Sequence, residues 1–240
     1  MLSRVRADNP EELDELCALM QEAVEETPLP AAVAAALGEA VAALAAKGAT
    51  LFAVRSSAVG EDGQLSFAGL YDSRLFVPAA DVPAALREVY LSRYSPRAVA
   101  YRIRYGIPDD ETPMAAAVVR MLDPISSGVI YTSDGPPGQE HVAVFAVRGV
   151  GDKLVDGSAV PQAWKLSRGA FRVLQSPQSH DRYLPQERLR ELWSHAMRLE
   201  EGLGGPQDIE WCLDASGEIF IVQSRPFQSE AAEECDPDSE

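Results

Sequence analysis

The chain has 240 residues and a formal net charge of -16, and 46% of its residues are hydrophobic. This content is enough for one substantial core or for two lobes that share a cleft. So acidic a surface repels nucleic acid and anionic membranes, which excludes nucleic acid as the main partner. A site for a polyanion must therefore be built locally, from a few arginines and backbone N–H groups.

The cysteines and the N-terminal residues narrow the class of protein further. Cys17, Cys212 and Cys235 form neither a CxxC pair nor a Cys/His cluster, so neither a zinc site nor a disulfide framework is predicted. The first ten residues turn polar too early for a secretory signal, and no apolar run approaches membrane-spanning length. We therefore expect a cytoplasmic protein that binds no membrane.

The first elements in chain order are two helices and a strand. Apolar residues at helical spacing predict a helix over residues 9–26, and an alanine-rich stripe predicts a second helix over residues 31–47. Gly48 is the expected end of that helix. The apolar segment TLFAV, residues 50–54, then predicts a short buried strand that leads directly into Arg55.

The rest of the chain mixes strands and helices without a regular βαβ alternation. Strands are predicted at 73–77, 115–122, 129–134 and 141–151, helices at 82–94, 95–108 and 186–202, a turn at 123–128, and a hairpin at 208–225. This order favours an α+β fold over a doubly wound sheet. The last thirteen residues, 228–240, carry six acids and almost nothing apolar, so we expect a disordered acidic tail.

The hairpin carries polar side chains on one face of its first arm. Asp208 and Glu210 alternate with Ile209, Trp211 and Leu213 in the sequence DIEWCLD. If the four residues ASGE, 215–218, form the loop, the register is fixed. The opposed pairs are then Asp214 with Ile219, Glu210 with Gln223, and Asp208 with Arg225.

These pairs would suit a magnesium ion and a phosphate. Opposed residues in antiparallel strands keep their Cβ atoms about 5 Å apart, so Glu210 and Gln223 could share one hard cation that prefers oxygen ligands. The guanidinium of Arg225, beside Asp208, would face a phosphate oxygen. An ordinary hairpin with its polar face in water is the alternative interpretation.

Three segments in order resemble the nucleotide-binding domain of the dikinase family. They are VRSSAVGEDGQLSFAGLYDS, then SPRAVAYRIRYGIP with AAAVVRMLDPISSGVIYT, then PQDIEWCLDASGEIFIVQSRP. The family includes phosphoenolpyruvate synthase, pyruvate phosphate dikinase, rifampicin phosphotransferase and the glucan water dikinases, and the resemblance runs from about Leu29 to Phe227. It implies an ATP-grasp-like α+β fold, with two lobes of mixed and antiparallel sheets around a nucleotide cleft.

The resemblance also implies ligands and site residues. ATP and Mg²⁺ are the implied ligands, and the β-phosphate of ATP passes to a histidine on a swivelling domain and then to an acceptor. The implied residues are Arg55 on the phosphates, Gly69 and Ser73 in the phosphate loop, Glu210 and Gln223 on magnesium, and Asp208 and Arg225 completing the site, with Arg55 and Arg225 in catalytic roles.

Other polar residues near these motifs carry weaker signals. Gly149 and Gly151 match the family's glycine-bearing loop near the nucleotide. Ser56 and Ser57 either cap the turn after the strand or contact ligand. Lys165 stands where family members often carry a lysine and either reaches a phosphate or is a solvated surface charge, and the second is expected. Arg97 and Arg102 lie on one predicted helix and are expected to form surface ion pairs.

The sequence also departs from the family pattern. No glycine-rich segment with a lysine precedes Arg55, Arg120 stands at the position of the adenine-side glutamine, and no histidine has the family's threonine–histidine context. We therefore expect residues 1–227, divided near residue 110, to form an ATP-binding domain that needs a separate phosphohistidine or acceptor-domain protein. The alternatives are a pseudo-enzyme that binds a nucleotide or a partner without transferring phosphate, and a fragment of a longer protein.

Overall fold

A computed structural model describes residues 10–59, 70–151, 154 and 159–227. The chain forms two compact units, Met1–Leu122 and Asp123–Glu240. A division near residue 110 was predicted. The first unit extends further, because the strand at residues 114–120 pairs with the strand at residues 51–58. The predicted acidic tail, 228–240, lies outside the described residues.

The first unit combines four helices with a three-stranded antiparallel sheet among its described residues. The helices are α1 (Pro10–Glu26), α2 (Ala31–Ala46), α3 (Val82–Ser92) and α4 (Pro96–Arg104). The strands are β1 (Leu51–Ala58), β2 (Ser73–Pro78) and β3 (Met114–Arg120), in the order β2-β1-β3, and short 3₁₀ turns cover Ala79–Asp81 and Asp109–Glu111. All the helices and strands predicted for this unit are present.

Local sequence signals set the helix ends. Gly48 follows α2 at φ +92°, a conformation that glycine adopts without steric cost. Ser95 caps α4, because its hydroxyl accepts a hydrogen bond from the backbone N–H of Ala98. Within the described residues no single helix is long and apolar enough to span a membrane, and α1 with α2 meets that test only as a pair bent by 76°.

The sheet of the first unit is apolar on the side that packs against α3. Phe52 and Val54 of β1, Val77 of β2 and Val89 of α3 are buried together. Complete burial of each such side chain contributes about 1.5–3 kcal/mol. Because alternate residues of a strand point to opposite faces, the outer face of the three-stranded sheet, opposite α3, carries Arg55.

Among its described residues, the second unit has a six-stranded antiparallel sheet and one long helix. Its elements are β4 (Pro124–Asp134), β5 (His141–Arg148), β6 (Gln162–Leu166), β7 (Val173–Gln175), α5 (Gln186–Leu203), β8 (Gln207–Asp214) and β9 (Ile219–Pro226). The strand order is β7-β6-β5-β4-β8-β9. Strands β6 and β7 were not predicted, because they are short and carry no long alternating pattern. With both sheets antiparallel, the predicted α+β class is confirmed.

Helix α5 covers one face of this sheet. A buried core joins Leu189 and Leu192 of α5 to Ile130, Trp164 and Trp211 of the strands. The opposite face, here called the outer face of the six-stranded sheet, carries the side chains between these positions. On β8 these are Asp208, Glu210 and Cys212.

The turn predicted at residues 123–128 is wrong, because β4 starts at Pro124 and continues through this segment. Serine and glycine at Ser126, Ser127 and Gly128 are typical of a turn. Here Gly128 is needed for the packing of two strands. A Cβ atom at Gly128 would lie 1.8 Å from the carbonyl oxygen of Phe145 on β5. Glycine is therefore required so that the two strands can approach.

Candidate functional site

The hairpin of β8 and β9 brings together the two pairs predicted from its alternation. Asp208 lies opposite Arg225, and Glu210 lies opposite Gln223. The core positions Ile209 and Trp211 face α5, so both polar pairs lie on the outer face of the six-stranded sheet. The register prediction is confirmed for this half of the hairpin.

The register near the loop differs from the prediction. Leu213, and not Asp214, pairs with Ile219. The connection is held by the carboxylate of Asp214, which accepts hydrogen bonds from Ser216 N (2.9 Å) and Ser216 Oγ (2.6 Å). These bonds, with those from the backbone of the loop, hold the pKa of Asp214 below its usual value.

The hairpin regains the expected pairing through a bulge. The register shifts between Glu210 and Trp211, which leaves Val222 of β9 as the extra residue. A longer loop and a bulge therefore compensate each other. Without the bulge, Glu210 would have lost its partner Gln223, since a one-residue slip moves a side chain to the other face.

Asp208 and Arg225 form a partly buried ion pair. Nε and Nη2 of Arg225 both donate to Oδ2 of Asp208, at 2.8 and 2.6 Å. Burial opposes the charge on Arg225, but the hydrogen bonds and charge of Asp208 outweigh it, so the pKa of Arg225 is raised. Asp208 is 8% exposed, and its Oδ1 is buried without a hydrogen-bond partner among the described residues.

The oxygen atoms available at this site match the coordination chemistry of Mg²⁺. Glu210 and Gln223 are both half-buried and directly opposed, and Oδ1 of Asp208 on the same face lacks a donor. No group of three or more His, Cys, Asp or Glu residues suited to a metal ion exists in the part of the chain that the structure describes. Mg²⁺ commonly uses only one or two carboxylates and completes its shell with water and substrate phosphates.

Aromatic residues that the sequence analysis missed flank the ion pair. Tyr131 of β4 lies opposite Asp208, and its ring centroid is 5.1 Å from that of Phe227 and 5.9 Å from that of Phe145. Burial, followed by the charge of Asp208, raises the pKa of Tyr131. Only the alternation of VIYTSD could have indicated that Tyr131 shares a face with the polar pairs.

Lys165 also lies on the outer face of the six-stranded sheet. It pairs with Ala143, which pairs with Tyr131, so Lys165 is in the same transverse row of side chains as Asp208. Its side chain is exposed. Lys165, which was expected to be a surface charge, therefore lies on the sheet face that carries the two polar pairs.

In the first unit, Arg55 and Ser73 are opposed residues of β1 and β2. A guanidinium and a hydroxyl are thus neighbours on the outer face of the three-stranded sheet. Strand β1 extends to Ala58, so Ser56 and Ser57 lie within it and not in the following turn. Gly69, assigned to the phosphate loop by resemblance, lies outside the described residues.

Arg120 occupies a different face from Arg55. It pairs with Phe52, whose side chain is in the core beside α3, and directly opposed residues project to the same side of a sheet. Val119, opposite Ala53, is the residue on the outer face. The strand geometry thus separates the side chain of Arg120 from the face that carries Arg55.

Arg102 is fully buried, so the expectation of a surface ion pair is wrong for this residue. Its Nη2 donates to the carbonyl of Arg93 (2.8 Å) and lies 3.6 Å from Oδ1 of Asp109. Helix α1 packs over α4 through Leu13 and Cys17. A charge pattern on α4 alone cannot reveal that a second helix covers it, whereas Arg97 is exposed as expected.

Comparison with known proteins gives the family. The family model described as pyruvate phosphate dikinase, AMP/ATP-binding domain, matches residues 1–182 and 169–240. A rifampicin phosphotransferase from a Streptomyces species is 35% identical over 94% of this chain and 29% of its own length. The phosphoenolpyruvate synthase of Escherichia coli K12 is 30% identical over 94% of this chain and 34% of its own length.

A solved structure, D-alanyl-alanine synthetase A from Vibrio cholerae, is similar at 12% identity with a TM-score of 0.38, over 88% of this chain and 54% of that one. This likeness is too slight to support an argument. The chain spans about a third of the length of the curated relatives it matches. Since the family model covers the whole chain, the chain belongs to the pyruvate phosphate dikinase AMP/ATP-binding domain family.

Proposed function

We propose that this ATP-binding domain binds ATP together with Mg²⁺ and serves a dikinase-type phosphotransferase. ATP would be split so that AMP leaves, the β-phosphate passes to a histidine on another domain or a separate polypeptide and from there to an acceptor, and the γ-phosphate passes to water or to a second acceptor. The observation that carries the proposal is the juxtaposition on one sheet face of the opposed oxygen donors Glu210 and Gln223 with the Asp208–Arg225 ion pair. Carboxylate, amide and guanidinium groups in this arrangement suit a metal-bound polyphosphate.

Each residue of the hairpin has a distinct part in the proposal. Glu210 and Gln223 hold Mg²⁺, which neutralises negative charge on the phosphates when it is bound. Asp208 fixes the guanidinium of Arg225 through Nε and Nη2, which leaves Nη1 to donate to a phosphate oxygen. Arg225 would stabilise the charge that develops on the transferred phosphate, without having to reorganise first.

The first unit supplies further candidate phosphate ligands. Arg55 and Ser73 are opposed on one face, and a cation beside a hydroxyl is well suited to phosphate oxygens. Following the family resemblance, we assign Arg55 a catalytic role, and Ser73 and Gly69 a role in the phosphate loop. The cytoplasmic location and the separate partner protein stay predictions.

Transfer can be tested by following the conversion of ATP to AMP. The chain would be incubated with Mg²⁺ and ATP, alone and with the purified phosphohistidine domain of the Escherichia coli phosphoenolpyruvate synthase. We expect AMP only when that domain is added. Retained ATP binding without AMP in either mixture would instead favour the alternative, a nucleotide-binding pseudo-enzyme, and AMP formed by the chain alone would contradict the need for a partner.

A further inference from the structure

The backbone at the end of β5 is fixed on both sides by β4. Gly149 adopts φ +73°, which favours glycine. Its N–H donates to the carbonyl of Ile125 (3.0 Å), and its carbonyl accepts a hydrogen bond from the hydroxyl of Ser127 (2.5 Å). The direction in which the chain leaves β5 therefore depends on a serine of the neighbouring strand.

Gly151 lies directly over that same serine. A Cβ atom at Gly151 would be 3.3 Å from Oγ and 3.8 Å from Cβ of Ser127. Ser127 pairs with Cys212 and therefore points to the outer face of the six-stranded sheet, whereas Ser126 pairs with the core residue Leu213. The segment Gly149–Gly151 consequently crosses onto the outer face.

This segment is close to the candidate metal ligands. Ser127 is two residues from Val129, which lies opposite Glu210. Two residues of a strand span about 7 Å. The N–H groups of Val150 and Gly151 make no hydrogen bond to a described residue, so they are available to an anion beside Glu210.

We propose that Ser127 is a positioning residue for the nucleotide site. Its hydroxyl holds Gly149–Gly151 against the outer face, where the backbone N–H groups of Val150 and Gly151 contact the phosphates. This inference rests on the proposed function, because it takes the ligand to be a metal-bound nucleotide. Ser127 itself acts only through the glycine segment, and the absence of a side chain at Gly151 lets the backbone approach.

The neighbouring serine provides a matched control. Ser126 is as buried as Ser127, at 1% against 5% exposure, but its hydroxyl faces the other side of the sheet and has no hydrogen-bond partner among the described residues. Ser126→Ala therefore removes a buried hydroxyl without removing the contact to Gly149. Ser127→Thr keeps the hydroxyl and suits a strand.

The test combines amide hydrogen exchange with calorimetry. In Ser127→Ala without nucleotide, exchange of the Gly149 N–H, which is hydrogen-bonded to the carbonyl of Ile125, should be faster by about fivefold or more, because loss of the Ser127–Gly149 hydrogen bond loosens this segment. The Kd for Mg·ATP should rise by about three- to tenfold, and Ser126→Ala and Ser127→Thr should stay close to the wild type in both measurements.

The outcomes separate this inference from the proposed function. Unchanged exchange in Ser127→Ala, or the same change in Ser126→Ala, would overturn the inference that Ser127 holds Gly149–Gly151 against the outer face. Faster exchange with an unaltered Kd would overturn the role in nucleotide binding. A wild-type chain that fails to bind Mg·ATP would contradict the proposed function, while the exchange rates would still report whether Ser127 holds Gly149–Gly151.

Discussion

The two carboxylate oxygens of Asp208 lie in different environments. Oδ2 accepts both hydrogen bonds from Arg225, and Oδ1 is buried with no donor among the described residues. An unpaired buried carboxylate oxygen is costly unless a donor or cation reaches it. The arrangement is therefore stabilised when a ligand supplies such a group, as a hydrated Mg²⁺ would.

Cys212 provides a test of burial on the same face. Burial, followed by the charge of Asp214, raises the pKa of its thiol from 9.0 to about 11. The unfolded chain begins to lose this proton near pH 9, while the folded chain retains it. The free energy of unfolding should therefore fall between pH 9 and 11, by about 2 kcal/mol over this range.

Urea unfolding at pH 8, 9 and 10 would measure this effect. The wild type should lose more stability with rising pH than Cys212→Ala, which lacks this thiol. Parallel pH profiles for the two proteins would show that the thiol does not remain protonated in the folded chain.

At the scale of elements, the packing of β4 against β5 depends on Gly128. A Cβ atom would lie 1.8 Å from the carbonyl oxygen of Phe145, and a backbone atom cannot move aside without breaking the strand pairing. Gly128→Ala should lower the free energy of unfolding by about 3 kcal/mol or more, as expected for severe overpacking. Chemical denaturation would measure the change.

Gly38 is the control for that substitution. It lies within α2 and has no heavy atom within 4 Å of its would-be Cβ. Gly38→Ala should therefore raise stability by up to about 1 kcal/mol, because alanine favours the helix. A loss of less than about 1 kcal/mol in Gly128→Ala would refute the close approach of β4 and β5.

The hairpin shows what alternation predicts and what it cannot. Alternation along DIEWCLD placed Asp208 and Glu210 on one face, and the structure agrees. The five-residue connection stabilised by Asp214 and the bulge at Val222 were not predicted. The predicted pairing of Glu210 with Gln223 is nevertheless correct, because these two irregularities shift the register in opposite directions. Long strands with one apolar face can be predicted from sequence, but local irregularities depend on contacts with specific neighbours.

Two other predictions, the turn at residues 123–128 and the surface position of Arg102, are wrong for the same reason. Serine and glycine in DPISSG indicated a turn, yet tertiary packing demands a glycine inside β4. Arg102 looked like a surface residue on α4, yet it is fully buried and α1 packs on the same helix. In both cases a contact with an element distant in sequence overrides the local signal.

For the whole molecule, a net charge of -16 opposes the binding of an anionic ligand at long range. Under the proposed function, affinity for ATP must therefore come from local groups, and both compact units offer candidates among their described residues. These are Arg55 with Ser73 in the first unit and Asp208 with Arg225 beside Glu210 and Gln223 in the second. The dependence on a metal distinguishes this account from simple attraction between charges.

Calorimetric titration of ATP, with and without Mg²⁺, into the wild type and Glu210→Gln tests the central claim most directly. The account predicts binding by the wild type that strengthens at least tenfold with Mg²⁺, a gain that Glu210→Gln loses and that the control Glu201→Gln, on an exposed position of α5, retains. Equal ATP affinity with and without Mg²⁺, or an unchanged gain in Glu210→Gln, would contradict it.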